Sequence, residues 1–181
     1  MSNADEKWIK SKLERLRMQI SQGDDSEIAI WIIPDELACS QRPLRDHPKF
    51  GGRQPLPPEA KQLVIHWVNR VKALGIQSII CMLEPAQLDR YYIRGGIDLH
   101  PRGLLGYYKS QGFNVRHIAA TDYQRPPLEK MQAVLIAFEE LPKPVLLHCS
   151  ASIDRTTPVA AFVTAQRREK AKLLNNSRNS A

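Results

Sequence analysis

Two hydrophobic rhythms alternate along the chain, one of helical period and one of short continuous apolar runs. Residues 5–21 set Trp8, Ile9, Leu13, Leu16 and Ile20 on one helical face with lysines and arginines opposite. That pattern predicts a helix packed on the domain, with a membrane-surface or partner-binding helix as the alternative. Gln22-Gly23-Asp24-Asp25-Ser26 breaks the pattern. Ile28 to Ile33 reads as a strand ended by Pro34, and the proline- and glycine-rich stretch 46–58 reads as a loop. From Glu59, the positions Leu63, Val64, Trp67, Val68, Val71 and Leu74 keep helical spacing until Gly75 closes the helix. Ile76 to Leu83 is a second apolar strand. A short helix is expected over 84–92, a Gly- and Arg-rich loop over 94–103, a helix over 104–111 and a strand over 113–119. Then come a helix from Leu128 to Glu140, a strand over Val145 to Leu147, and a last helix from Thr156 to about Lys172. This alternation predicts one α/β domain, a mostly parallel sheet of four to five strands with helices on both faces. Its expected parts are an N-terminal amphipathic helix (1–24), the domain proper (25–172) and a polar tail (173–181). No internal repeat or low-complexity tract interrupts it.

The stretch from Pro144 to Thr156 carries the candidate chemistry. Val145 to Leu147 suits a strand buried on both faces, Cys149 to Arg155 is a loop of mostly small residues, and Pro158 is tolerated in the first turn of the helix that follows. Strand, tight loop and helix together collect backbone N–H groups around one point, which suits a tetrahedral oxyanion such as phosphate. The same field favours a thiolate, so Cys149 is the candidate nucleophile. Arg155 can return over the loop and grip two phosphate oxygens with its planar fork, and the Thr156 hydroxyl is placed to donate to the sulfur.

His148-Cys149-Ser150-Ala151-Ser152-Ile153-Asp154-Arg155-Thr156 resembles the HCxxGxxR(S/T) signature of cysteine-dependent protein tyrosine and dual-specificity phosphatases. Weaker echoes of that family run over residues 28–170, including Leu37 to Pro43 and the helix–Gly75–strand passage. The chain departs from the signature at Ser152, where the family has glycine. The resemblance implies a phosphatase-like catalytic domain over 25–172 and hydrolysis of phosphotyrosine, with phosphoserine or phosphothreonine as further substrates, through a cysteinyl-phosphate. It implies that Ser150, Ala151, Ser152, Ile153 and Asp154 line the phosphate site through their backbone, and that no cofactor or metal is needed. It also implies helices beyond the one opening at Thr156, and this chain supplies only that one. Three alternatives stay open: a phosphate-binding pseudophosphatase with little turnover, a phosphatase for RNA 5′-phosphates or phosphoinositides, and a sulfur or arsenate enzyme with a similar loop.

Such an enzyme needs a carboxyl that protonates the leaving oxygen and later deprotonates water. Asp122 is the candidate, because it follows a strand among turn-favouring residues, where the family keeps its acid. Asp154 pointing inward would repel both thiolate and phosphate, so it is expected to face out. His148 is expected to hold the loop rather than act as the base. Arg42 and Arg45 either border the pocket or sit on a solvated basic loop. Cys81 is considered as a disulfide partner for Cys149, against the plainer reading of a buried strand thiol.

Composition narrows the partners. The chain has 181 residues, 43% of them hydrophobic, enough for one domain with a real core. A net charge of +7 suits an acidic partner: a phosphorylated protein above all, with nucleic acid disfavoured but open because no basic, aromatic-interleaved motif is present. Three cysteines without paired spacing argue against a disulfide framework and for a reducing compartment. The N-terminus lacks an apolar signal core and no stretch approaches a membrane span, so a cytoplasmic protein without membrane insertion is expected. Nothing in the pattern sets the oligomeric state.

Overall fold

The computed structural model describes residues 3–179 apart from 53, 92–96 and 102. Among these residues six α-helices, α1 (Asn3–Ser21), α2 (Lys61–Ala73), α3 (Pro85–Leu88), α4 (Gly103–Ser110), α5 (Leu128–Glu140) and α6 (Thr156–Asn179), are interspersed with five strands. These are β1 (Ile30–Ile33), β2 (Leu37–Ser40), β3 (Ser78–Cys81), β4 (Asn114–His117) and β5 (Val145–His148). They form one sheet in the order β1-β2-β5-β3-β4, antiparallel between β1 and β2 and parallel elsewhere. The expected single-domain α/β architecture is therefore the observed one.

β5 sits at the centre because its sequence has nothing to offer solvent. Val145, Leu146, Leu147 and His148 are all fully buried, and β2 and β3 flank them in matching register, Ser40 and Cys81 both facing His148. The side chains leave β5 alternately for two cores. Val145, Leu147 and Cys149 pack with α1, α5 and α6, while Leu146 packs with α2 and α4. Each fully buried leucine or valine contributes on the order of 2 kcal/mol by leaving water.

Four elements differ from expectation. No strand was assigned to Leu37 to Ser40, yet these four residues are wholly buried as β2 and form a hairpin with β1 through Pro34-Asp35-Glu36. Asp35 takes the left-handed conformation (φ 56°) that short polar residues tolerate, which lets the chain reverse within three residues of a proline. Trp8 was placed on the buried face of α1, yet it is 48% exposed while Ile9, Leu13, Leu16 and Ile20 are buried. Adjacent residues stand about 100° apart on a helix, so the face that suits Ile9 turns Trp8 outward. α6 passes the end expected near Lys172 and continues to Asn179, so the region expected as a polar tail is largely helical. The loop expected over 94–103 falls partly outside the described residues, and its end is already the first turn of α4.

Ion pairs tie α1 to α6 and to two loops: Asp5 with Arg168 at 2.7 Å, Glu6 with Arg125 at 2.8 Å and Arg17 with Asp46 at 2.6 Å. No helix among the described residues is long and apolar enough to cross a membrane.

Candidate active site

Where β5 ends, the chain cannot continue as a strand and turns through Cys149 to Arg155 before α6 begins. The turn is tied down on both sides by small polar side chains. Ser152 takes φ 63°, the left-handed region that favours glycine, which is the physical content of the glycine in the signature. Serine holds that conformation here because its hydroxyl donates to the Ser40 carbonyl of β2, while its own carbonyl accepts from Thr157 Oγ1 at 3.0 Å. The departure from glycine thus adds a tether to the neighbouring strand.

A second tether comes from Arg42. It is 1% exposed, so it belongs to no solvated loop. Its amide donates to the Ser150 carbonyl at 3.0 Å and its Nε to Ser150 Oγ at 3.3 Å. The other guanidinium nitrogens reach Tyr91 Oη at 3.0 Å and the Gly52 carbonyl at 2.6 Å. Arg42 is a staple behind the turn, and Arg45 is turned to Asp46 at 3.0 Å.

His148 completes the support. It is fully buried between Trp67 and Tyr108, whose rings meet it edge-on at 6.3 and 5.8 Å between centroids. Burial, reinforced by the charges of Arg155 and Arg42 and opposed by its contact with the Cys149 carbonyl, lowers its pKa to about 4. The ring is therefore neutral. Nδ1 donates to the Cys149 carbonyl at 3.1 Å, which leaves Nε2 to accept from the Tyr108 hydroxyl at 3.4 Å. Its partners Tyr108 and Trp67 are residues that sequence reasoning missed.

Cys149 is 2% exposed, and its sulfur accepts from the Ser152 amide at 3.2 Å. The Thr156 hydroxyl was expected to serve that sulfur. It is buried instead with no hydrogen-bond partner among the described residues. Asp154 is exposed, as the charge argument requires, and Ile153 and Asp154 border an open polar cleft of about 210 Å³ shared with Tyr123, Arg125, Glu6 and Lys10. Cys81 packs among the α2 and α4 side chains and Cys149 on the opposite face of the sheet, which favours the buried strand thiol over a Cys81–Cys149 disulfide. All three thiols are free, and burial pushes that of Cys81 up to about 12.

Arg155 brings distant residues to the loop. Only 1% exposed, it directs Nη1 at the Met82 carbonyl (3.1 Å), the Ala120 carbonyl (2.9 Å) and Gln87 Oε1 (3.0 Å). Nη2 meets Asp122 Oδ1 at 2.6 Å, and Nε is buried without a partner among the described residues. Asp122, about a quarter exposed, also accepts from Gln87 Nε2 at 2.8 Å and from the Tyr123 amide at 3.2 Å. The two residues singled out from separate segments of sequence are thus in direct contact. A buried donor edge, a thiol facing an amide and a carboxyl at the rim can together bind an oxyanion, attack it and move a proton. Among the described residues, no group of three or more His, Cys, Asp or Glu side chains could hold a metal ion.

No protein-family model matches this chain, and no curated protein sequence does. Several solved structures are similar in fold. A kinase associated phosphatase carrying serine at its catalytic-site cysteine is 20% identical over 70% of this chain, with a TM-score of 0.49. Tk-PTP in its active form is 19% identical over 74% of this chain, with a TM-score of 0.47. A putative phosphatase (DUF442) from Shewanella putrefaciens CN-32 is 18% identical over 69% of it, with a TM-score of 0.41. The chain spans 63%, 69% and 60% of those three chains respectively.

Proposed function

We propose that this protein is a cysteine-dependent phosphomonoesterase acting on phosphotyrosine, with phosphoserine and phosphothreonine as further substrates. The observation that carries the reading is the convergence on one loop of Cys149, the unpartnered Nε of buried Arg155, and Asp122 at 2.6 Å from Arg155 Nη2. In this mechanism the Cys149 thiolate attacks phosphorus as the P–O bond to the alcohol breaks. Backbone amides of Ser150 to Arg155 and the Nε–Nη2 edge of Arg155 hold the equatorial oxygens, the Ser152 amide already lying beside the sulfur. Asp122 gives its proton to the leaving oxygen, and then takes one from the water that attacks the cysteinyl-phosphate. Breaking the S–P bond returns the thiolate and releases inorganic phosphate. The near-complete burial of Cys149 favours a long, flat ester such as phosphotyrosine, which reaches further into a pocket than a serine ester. The +7 net charge and the three free thiols suit an acidic phosphoprotein substrate in the cytoplasm.

Steady-state rates on p-nitrophenyl phosphate and on a phosphotyrosine peptide test this, with acid-quenched samples examined by mass spectrometry for phosphate on Cys149. Turnover that falls to the uncatalysed background in Cys149→Ser is the expected result. Phosphate binding without turnover in the wild type would give the pseudophosphatase reading instead.

Asp122→Asn is expected to lower kcat on the order of a hundredfold for phenyl phosphate. The loss should shrink for 2,4-dinitrophenyl phosphate, whose leaving group departs without a proton. Equal losses for both esters would assign the proton to another residue.

A further inference from the structure

Gln87 stands at the third position of α3, a one-turn helix opened by Glu84 and Pro85, and its amide is committed at both ends. Oε1 accepts from the Glu84 backbone amide at 3.2 Å and from Arg155 Nη1 at 3.0 Å, while Nε2 donates to Asp122 Oδ2 at 2.8 Å. Turning the amide over would set its NH2 against two donors and its oxygen against a carboxylate, so the neighbours fix its orientation. We infer that Gln87 is a positioning residue of this site, holding Arg155 and Asp122 in register with each other; the inference rests on the phosphatase reading.

Arg155 has five protons to share among its acceptors. Nη1 has two protons and already faces three acceptors, Met82 O, Ala120 O and Gln87 Oε1, so it has none to spare for a ligand. An incoming phosphate is left with Nε and Nη2. Nη2 also carries two protons: Asp122 Oδ1 takes one at 2.6 Å, and the other stands with Nε–H on the edge open to the phosphate, so Arg155 can hold Asp122 and the anion together. Asp122 has two further holds: the Tyr123 amide at 3.2 Å on Oδ1 and Gln87 Nε2 at 2.8 Å on Oδ2. Gln87 thus bridges the two residues through one amide, accepting from Arg155 and donating to Asp122, and keeps the acid at the rim beside the anion-binding edge.

A helix-capping role alone would also explain one of these contacts, and Gln87→Glu separates the two. Glutamate is the usual partner in a capping box, so it can still accept from the Glu84 amide and from Arg155. It replaces the donor to Asp122 with a second carboxylate, which repels it. The experiment measures kcat for phenyl and 2,4-dinitrophenyl phosphate, and melting temperature, in wild type, Gln87→Glu, Gln87→Ala and each of these combined with Asp122→Asn. Gln87→Glu is expected to melt near the wild-type temperature yet lose about tenfold in kcat on phenyl phosphate, with a smaller loss on the dinitrophenyl ester. Its effect on phenyl phosphate should largely vanish in the Asp122→Asn background, because both changes remove the same proton delivery. Wild-type rates on phenyl phosphate in Gln87→Glu, or losses that are equal for both esters and additive with Asp122→Asn, would overturn the role of Gln87 alone. A wild type that turns over neither ester would overturn the underlying reading and this inference with it.

Discussion

Arg155→Lys is expected to lower kcat/KM by about three orders of magnitude while leaving Cys149 open to alkylation by iodoacetamide. Losing a preorganised donor to a developing oxyanion commonly costs a hundred- to a thousandfold, roughly 3–4 kcal/mol. The lysine ammonium is a point charge. It cannot present the two parallel N–H groups that Nε and Nη2 offer, nor satisfy Met82 O, Ala120 O, Gln87 Oε1 and Asp122 Oδ1 at once. The decisive readout is protection. Phosphate or vanadate should slow alkylation of Cys149 in the wild type and fail to do so in the variant, at concentrations that saturate the wild type. Vanadate protection equal to the wild type would show that Arg155 braces the loop without gripping the anion.

The parts of this site that follow one another in the chain were legible in its sequence. Strand, loop and helix from Val145 onward are contiguous, so the apolar run, the small residues and Pro158 suffice to place Cys149 and Arg155 on one turn. Asp122 was legible by position, since it follows β4 and β4 runs parallel to its neighbour β3. What was not legible depends on partners supplied by remote segments. Arg42 reaches Ser150 across 108 positions and Gln87 reaches Arg155 across 68, and no local pattern announces either contact. Gln87 carries a local signal only for a helix start, through its capping box with Glu84. β2 was hidden for a different reason. Four residues beside a proline are too short for periodicity to speak, and only the pairing with β1 and β5 makes them a strand.

The folded protein is expected to lose about 3 kcal/mol of stability through His148 alone as the pH falls from 6.5 to 4. The imidazole has an ordinary pKa of 6.5 and a folded one of about 4. Between those values the unfolded chain binds a proton that the folded chain refuses, so unfolding takes up protons and stability falls with pH, by about 1.4 kcal/mol per unit. The contribution is fully present above pH 6.5 and gone below pH 4. The cause is local. A protonated ring would turn Nε2 from an acceptor of the Tyr108 hydroxyl into a donor, inside a fully buried pocket between Trp67 and Tyr108 and under the charges of Arg155 and Arg42. Carboxylates titrate in the same range, so the measurement is a difference. Urea unfolding at pH 7 and pH 4.5 is compared between wild type and His148→Asn, whose amide can still donate to the Cys149 carbonyl but cannot titrate. The wild type should lose about 2–3 kcal/mol more than the variant over that interval. The same pH dependence in both would mean that His148 is protonated in the folded protein, and the neutral imidazole holding the Cys149 carbonyl would have to be abandoned.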